Sequence, residues 1–186
     1  VGGFNDVVYK GSSINAVCFE DVPCLLVREL ASLDVVGIVG EVHLHFVIDS
    51  AADFSQSELQ ALSVRCVPMT VSFGEDSYTD GVDLPQEIFW QRMEAGQNPK
   101  TSQPSPDAFL REFEAAKDAG DSVVCILISS ALSGTMQSAL IAAGMVEDLD
   151  IALVDSLTAT AGQRLLVQEA CRLRDINELL MDTGLG

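Results

Sequence analysis

Six consecutive apolar residues, Val123-Val124-Cys125-Ile126-Leu127-Ile128, run straight into Ser129-Ser130-Ala131-Leu132-Ser133-Gly134-Thr135. A run of this length, closed by turn residues, reads as a strand hidden on both faces. Met136, Ala139, Leu140 and Ala143 follow at helical spacing. Buried strand, hydroxyl-rich turn and helix in that order is the unit of a parallel sheet, because a parallel strand must be covered on both sides. The same unit predicts a binding edge. Four hydroxyls, from Ser129, Ser130, Ser133 and Thr135, should converge with free backbone N–H groups where the helix begins. A helix start carries unpaired donors and about half a positive charge. With no Lys or Arg in the turn, the expected guest is a carboxylate or phosphate held by neutral donors.

The pattern repeats along the chain. Val42 to Ile48 predicts a strand ending in Asp49-Ser50, and Ile151 to Val154 one ending in Asp155-Ser156. Ser55 or Ser57 caps a short helix through Leu62. Val64 to Phe73 reads as one strand, bent or at an edge because of Pro68. Tyr78-Thr79-Asp80-Gly81 is a short extended piece and a turn. Asp83 is the expected N-cap of a helix carrying Ile88, Phe89 and Met93, ended by Gly96. Gln97 to Ser105 reads as a loop. Ser105 then caps a helix with Pro106 at its first position and Phe109, Leu110 and Phe113 on its buried stripe, closed by Gly120. A helix from about Ala159 to Arg174 and a separate short one over Ile176 to Leu180 complete the reading. Residues 1–41 stay unassigned to a domain, although Val7–Tyr9, Ile14–Phe19 and Val35–Val39 suggest strands and Cys24–Leu33 a helix. The expected organisation is therefore an N-terminal segment, 1–41, and one α/β domain, 42–186, with a parallel sheet and helices on both faces.

A formal net charge of −18 over 186 residues argues against a nucleic-acid surface, which needs clustered Lys and Arg, and against docking on anionic lipid. An acidic face for a basic protein partner is the other use of such charge. Five cysteines without CxxC spacing suggest neither a zinc site nor a disulfide framework, and a reducing cytoplasm suits them. No apolar stretch is long enough to span a membrane.

Several chemistries lack their motif: GxxxxGK[ST], GxGxxG and GxSxG are all missing. Asp49-Ser50-Ala51-Ala52-Asp53 has the wrong Asp spacing for a phosphoaspartyl enzyme, so Asp49 and Ser50 are expected to shape a turn by binding backbone donors. His43 and His45 share one strand face but have no partner at ligand spacing, so no metal or other cofactor is expected. In Lys100-Thr101-Ser102-Gln103-Pro104-Ser105, helix capping accounts for Ser105 and Pro106 but not for Thr101 or Ser102, which are free to face a ligand.

Six segments in order, VIDSAAD (47–53), VPM (67–69), YTDGVD (78–83), KTSQPS (100–105), SSALSGT (129–135) and VDS (154–156), resemble the bacterial DegV family, which includes the fatty-acid-binding subunits of fatty acid kinase. The resemblance runs from about Phe46 to Arg174. It implies a protein that binds a long-chain fatty acid in an apolar tunnel and presents its carboxylate to a partner kinase, the catalytic protein that makes the acyl phosphate. It implies Thr101 and Ser133 as the carboxylate-binding hydroxyls, with Ser102, Ser129, Ser130, Gly134, Thr135, Asp49 and Ser50 as neighbours, and no catalytic residue. Family members continue into a second α/β domain that supplies a His, and neither His43 nor His45 matches it. The expectation is thus a DegV-type first domain with the second one missing. The alternative is a small serine hydrolase with Ser133 as nucleophile, which needs a base such as His45 within reach.

Overall fold

The computed structural model describes residues 14–17 and 43–183, with side chains described for 43–175. The suggested elements at Val7–Tyr9, Cys24–Leu33 and Val35–Val39 lie outside the described residues.

Five strands form the main sheet: β1 (Ile14–Val17), β2 (Leu44–Asp49), β3 (Val64–Val67), β7 (Ser122–Leu127) and β8 (Ile151–Asp155), in the order β1-β8-β7-β2-β3. Every neighbouring pair is parallel. Between β2 and β3 lies α1 (Gln56–Ala61), and α3 (Pro106–Ala119) precedes β7. After β7 comes α4 (Thr135–Ala143), and after β8 comes α5 (Ala161–Thr183). Phe109, Phe113, Met136 and Ala139 pack on one face of the sheet with Val47, Cys125 and Leu153. Leu59, Val167, Ala170 and Cys171 cover the other with Phe46, Ile48 and Ile126. Alternate residues of β2 and β7 thus feed opposite cores, which is why these strands are apolar at nearly every position. Each aliphatic side chain so buried contributes about 1.5–3 kcal/mol. Helices on both faces of a parallel sheet are the expected fold class.

A second, antiparallel sheet, β5-β4-β6, is built from β4 (Thr70–Phe73), β5 (Asp76–Thr79) and β6 (Lys100–Ser102). With α2 (Gln86–Glu94), packed on it, it forms a small flap. Within α2 no residue is buried. Its hold is aromatic and cationic: Phe89 meets Phe73 edge-on, and Arg92 bonds Asp76 and the Tyr78 hydroxyl, both at 2.7 Å.

Four expectations change. The predicted strand Val64–Phe73 is two, in different sheets, because Pro68 has no N–H for a ladder and the chain turns there. Asp83 does not cap α2, whose N-cap is Pro85; it accepts the Thr79 N–H at 2.6 Å instead, closing the preceding turn. The predicted loop 97–105 contains β6, registered on β4 with Thr101 opposite Val71. The C-terminal helix continues through Arg174 as one element to Thr183. The other boundaries follow their sequence signals. Ser55 caps α1 in a reciprocal capping box with Glu58, and Gly120, at φ 81°, supplies the left-handed turn that ends α3. Cys66, Cys125 and Cys171 are thiols, and burial pushes Cys66 up to about 12.

Candidate functional site

The strand order changes direction between β2 and β7: from β2 the chain moves outward to β3, and from β7 the other way to β8. In open parallel sheets the crevice at such a switch point is the usual ligand site. The loops leaving β2 and β7 here are those carrying Asp49-Ser50 and Ser129–Gly134.

The β7–α4 loop is fixed from below by two carboxylates at strand ends. Asp49 is fully buried and accepts the Ile128 N–H at 2.7 Å and the Ala51 N–H at 2.9 Å. Its remaining lone pairs face the buried Gln163 amide at 3.3 Å. Burial raises its pKa, and the two backbone donors and Gln163 oppose that shift. Asp155, 1% exposed, accepts the Ser130 N–H with both oxygens at 3.2 Å and the Leu157 N–H at 3.0 Å. The Ser129 N–H reaches across to the Thr158 carbonyl at 2.8 Å. Ser50 acts alongside, its Oγ accepting the Met69 N–H at 3.1 Å where the chain passes from β3 to β4.

The loop's own groups divide into used and available. Ser129 is buried and turns back on the Ala131 N–H, and the Leu132 and Ser133 N–H groups close on the Ser129 carbonyl. Ser130 is exposed. The predicted convergence of four hydroxyls therefore reduces to a pair: Ser133 Oγ lies 2.9 Å from Thr135 Oγ1 and accepts the Thr135 N–H at 3.3 Å. When Thr135 also supplies the hydroxyl hydrogen, the Ser133 proton is free to donate outward. Gly134 is the N-cap of α4 and offers no side-chain cap, so beyond the Thr135 N–H, which Ser133 takes, the start of the helix keeps its positive potential.

Thr101 arrives from the other sheet, exposed on β6 beside Ser102. Two residues on, the Gln103 amide donates to the buried Ser138 Oγ at 3.3 Å and lies over Gly134. A Cβ on Gly134 would sit 2.7 Å from Gln103 Cδ, an overlap. The structure therefore brings the TSQPS segment and the SSALSGT turn into contact. Asp49 lies beneath the contact, its oxygens occupied by backbone and amide donors. The sequence places Asp155 at a polar strand end on the binding edge and Gln103 within KTSQPS without a role for either, and nothing in it singles out Gln163. Nothing local in the sequence marks that contact: Gly134 has an ordinary φ, −78°, and only the folded chain shows that its missing Cβ leaves room for Gln103.

His45 stands at the opposite edge of the sheet, 3.8 Å from Glu112 and 3.7 Å from Asp121. The β2 ladder alone separates it from the strand's Asp49 end by roughly 13 Å, and His43 lies just before the strand, farther still, so neither serves Ser133 as a base. A recess of about 730 Å³ opens at that far edge, lined by His45, Arg65, Glu112 and Arg174 among others. Its charges face one another across it, with Arg65 Nε 3.5 Å from Glu112, and it lies away from the hydroxyl loops. Among the described residues, no helix is long and apolar enough to cross a membrane.

The family model described as "Uncharacterised protein, DegV family" matches residues 43–182. A DegV domain-containing protein of Caldanaerobacter subterraneus subsp. tengcongensis is 37% identical over 127 residues, 68% of this chain and 45% of its own length. Among solved structures, a stearic acid-binding protein from Eubacterium ventriosum aligns with TM-score 0.68 and 36% identity, over 71% of this chain and 47% of its own. A fatty-acid-binding DegV family protein from Thermus thermophilus gives 0.66 and 33%, over 72% and 48%. The Streptococcus pneumoniae fatty acid kinase B3 protein, loaded with linoleic acid, gives 0.60 and 27%, over 78% and 50%. The chain spans about half the length of the curated relatives it matches.

Proposed function

The chain belongs to the DegV family, and from that premise we propose that it binds a long-chain fatty acid by its carboxylate and presents the head group to a kinase. Thr101 and Ser133 are the donors in this reading, with Ser102, Ser130 and Thr135 around them. The observation that carries it is the contact of Gln103 with Gly134, which joins the two hydroxyl loops at the start of α4. A carboxylate in a partly dry site needs several donors to offset its lost hydration. Two hydroxyls and the N–H groups of a helix start meet that need without a cation. The acyl chain contributes about 0.8 kcal/mol per buried methylene, so affinity does not depend on a charged partner.

The pneumococcal relative is a fatty acid kinase B protein, which supports the further step: a separate kinase phosphorylates the held carboxylate, in the cytoplasm, and this chain contributes binding rather than catalysis. Mass spectrometry of gently purified protein should find a co-purified fatty acid. Adding a fatty acid kinase catalytic protein and ATP should then yield acyl phosphate. Thr101→Val with Ser133→Ala should weaken palmitate binding by roughly a hundredfold, about tenfold for each charge-assisted hydrogen bond. Unchanged affinity in that double variant would sink the assignment.

A further inference from the structure

We propose that Gln103 is the positioning residue of the head-group site, holding the short strand that carries Thr101 against the turn that carries Ser133 and thereby setting the preference for a carboxylate over a neutral head group. This rests on the reading of Thr101 and Ser133 above.

Thr101 has little else to hold it. Its strand, β6, is three residues long, lies at the edge of the small sheet and pairs with β4 alone. The side chains of Lys100, Thr101 and Ser102 are all exposed. On the other side of Gln103 the chain is firm. Pro104 is buried, and α3 starts at Pro106 and anchors Phe109 and Phe113 in the core at 0% exposure. Gln103 stands at the boundary between the anchored and the unanchored segment.

The opposing surface is shaped to receive it. Gly134 has a φ of −78°, which any residue adopts, so glycine is not needed there for its backbone. What a side chain would take is the room filled by the Gln103 amide: a Cβ would lie 2.7 Å from both Cδ and Nε2. One turn into α4, Ser138 is 3% exposed and accepts from that same amide. The amide thus fills the space that a Gly134 side chain would take, next in sequence to Ser133 and bonded to the second turn's Ser138.

The test competes palmitate and hexadecanol against a fluorescent fatty acid on the wild-type chain and on Gln103→Ala, Gly134→Ala, the double variant and Gln103→Glu. The expected result is about tenfold weaker palmitate binding in Gln103→Ala, with hexadecanol unchanged. Gly134→Ala should match it, because its methyl displaces the amide, and the double variant should be no worse than either. Gln103→Glu should lose more of the acid, since it sets a like charge beside it. Equal losses for acid and alcohol, additive losses in the double variant, or palmitate affinity untouched by Gln103→Ala would each overturn the proposal. A wild-type chain that takes acid and alcohol alike, or neither, removes the head-group reading itself, before any variant is made.

Discussion

The parallel sheet and the antiparallel flap divide the two proposed head-group hydroxyls between them, and they are held by different means. In β7 every residue from Val123 to Leu127 is buried; in the flap strands only Val71 and Phe73 are. Ser133 is mounted on the first, above the buried Asp49 and Asp155. Thr101 is mounted on the second, in the middle of a short, exposed edge strand. On the proposed reading, a carboxylate grip made of one rigid and one lightly held hydroxyl would let the ligand's arrival complete the site, while the scaffold beneath stays fixed. Changes in the core of the sheet should therefore register chiefly as lost stability, and changes in the flap chiefly as lost binding.

The sharpest way to break this contrast is in the cores. Phe113→Ala empties a fully buried site between α3 and the sheet and should cost about 3–5 kcal/mol of global stability by denaturant titration. Phe89→Ala in the flap, where the ring is half-buried, should move the same midpoint far less. Equal costs would mean that the two parts unfold as one body and that the division is only geometric.

A smaller effect is expected at the strand end. Asp155→Ala leaves the Ser130 and Leu157 N–H groups without their acceptor and should cost roughly 1–3 kcal/mol, with palmitate binding falling as the loop loosens. Asp155→Asn keeps one acceptor oxygen and should recover part of both. If binding falls while stability holds, the carboxylate acts on the ligand rather than on the loop.

How much of this was legible in the chain follows the same line. The strands of the sheet are two-faced apolar runs, and a run such as Val123–Ile128 declares itself without help from the rest of the molecule. In the flap, β4 and β5 lie within stretches that read as extended and pair locally, Phe73 with Asp76, but β6 is three polar residues paired across thirty positions, Val71 with Thr101, so no local pattern marks it. Pro68 was visible, but not that it divides two sheets. At the site, the hydroxyls of KTSQPS and SSALSGT stood out, and it was the resemblance that assigned Thr101 and Ser133 their role. The buried carboxylates look like ordinary turn formers in sequence. Gln103 could not be separated from its neighbours, because what distinguishes it is a contact with a glycine thirty-one positions away.

Trp90, the chain's single tryptophan, lies on α2 and is 52% exposed, so its fluorescence reports the flap while far-UV circular dichroism is dominated by the helices of the sheet. The two signals should give non-coincident urea transitions, with Trp90 changing first, and palmitate should draw them together by tying Thr101 to Ser133. Coincident transitions without ligand would contradict the picture of a lightly held flap.

The mildest expected effect is acid dependence, and it belongs to the sheet alone. Glu58 accepts the Ser55 N–H and hydroxyl and pairs with Arg164 on α5, which together hold its carboxyl at about 2, against 4.5 ordinarily. A folded-state value below the unfolded one means stability that is complete above pH 4.5 and drains away as pH falls toward 2. Asp49 runs the other way: burial raises it, so the folded chain holds its proton more firmly and stability declines as pH rises through the window above 3.8. Glu58→Gln keeps the capping geometry but cannot titrate, so it should flatten the acid limb of the circular-dichroism transition and leave the upper limb, where Asp49 acts, in place. The Trp90 transition should keep the same pH trend in wild type and variant. If it shifts with Glu58→Gln, the flap is coupled to α1 and α5 through the sheet, and Thr101 is held more firmly than its exposed strand suggests.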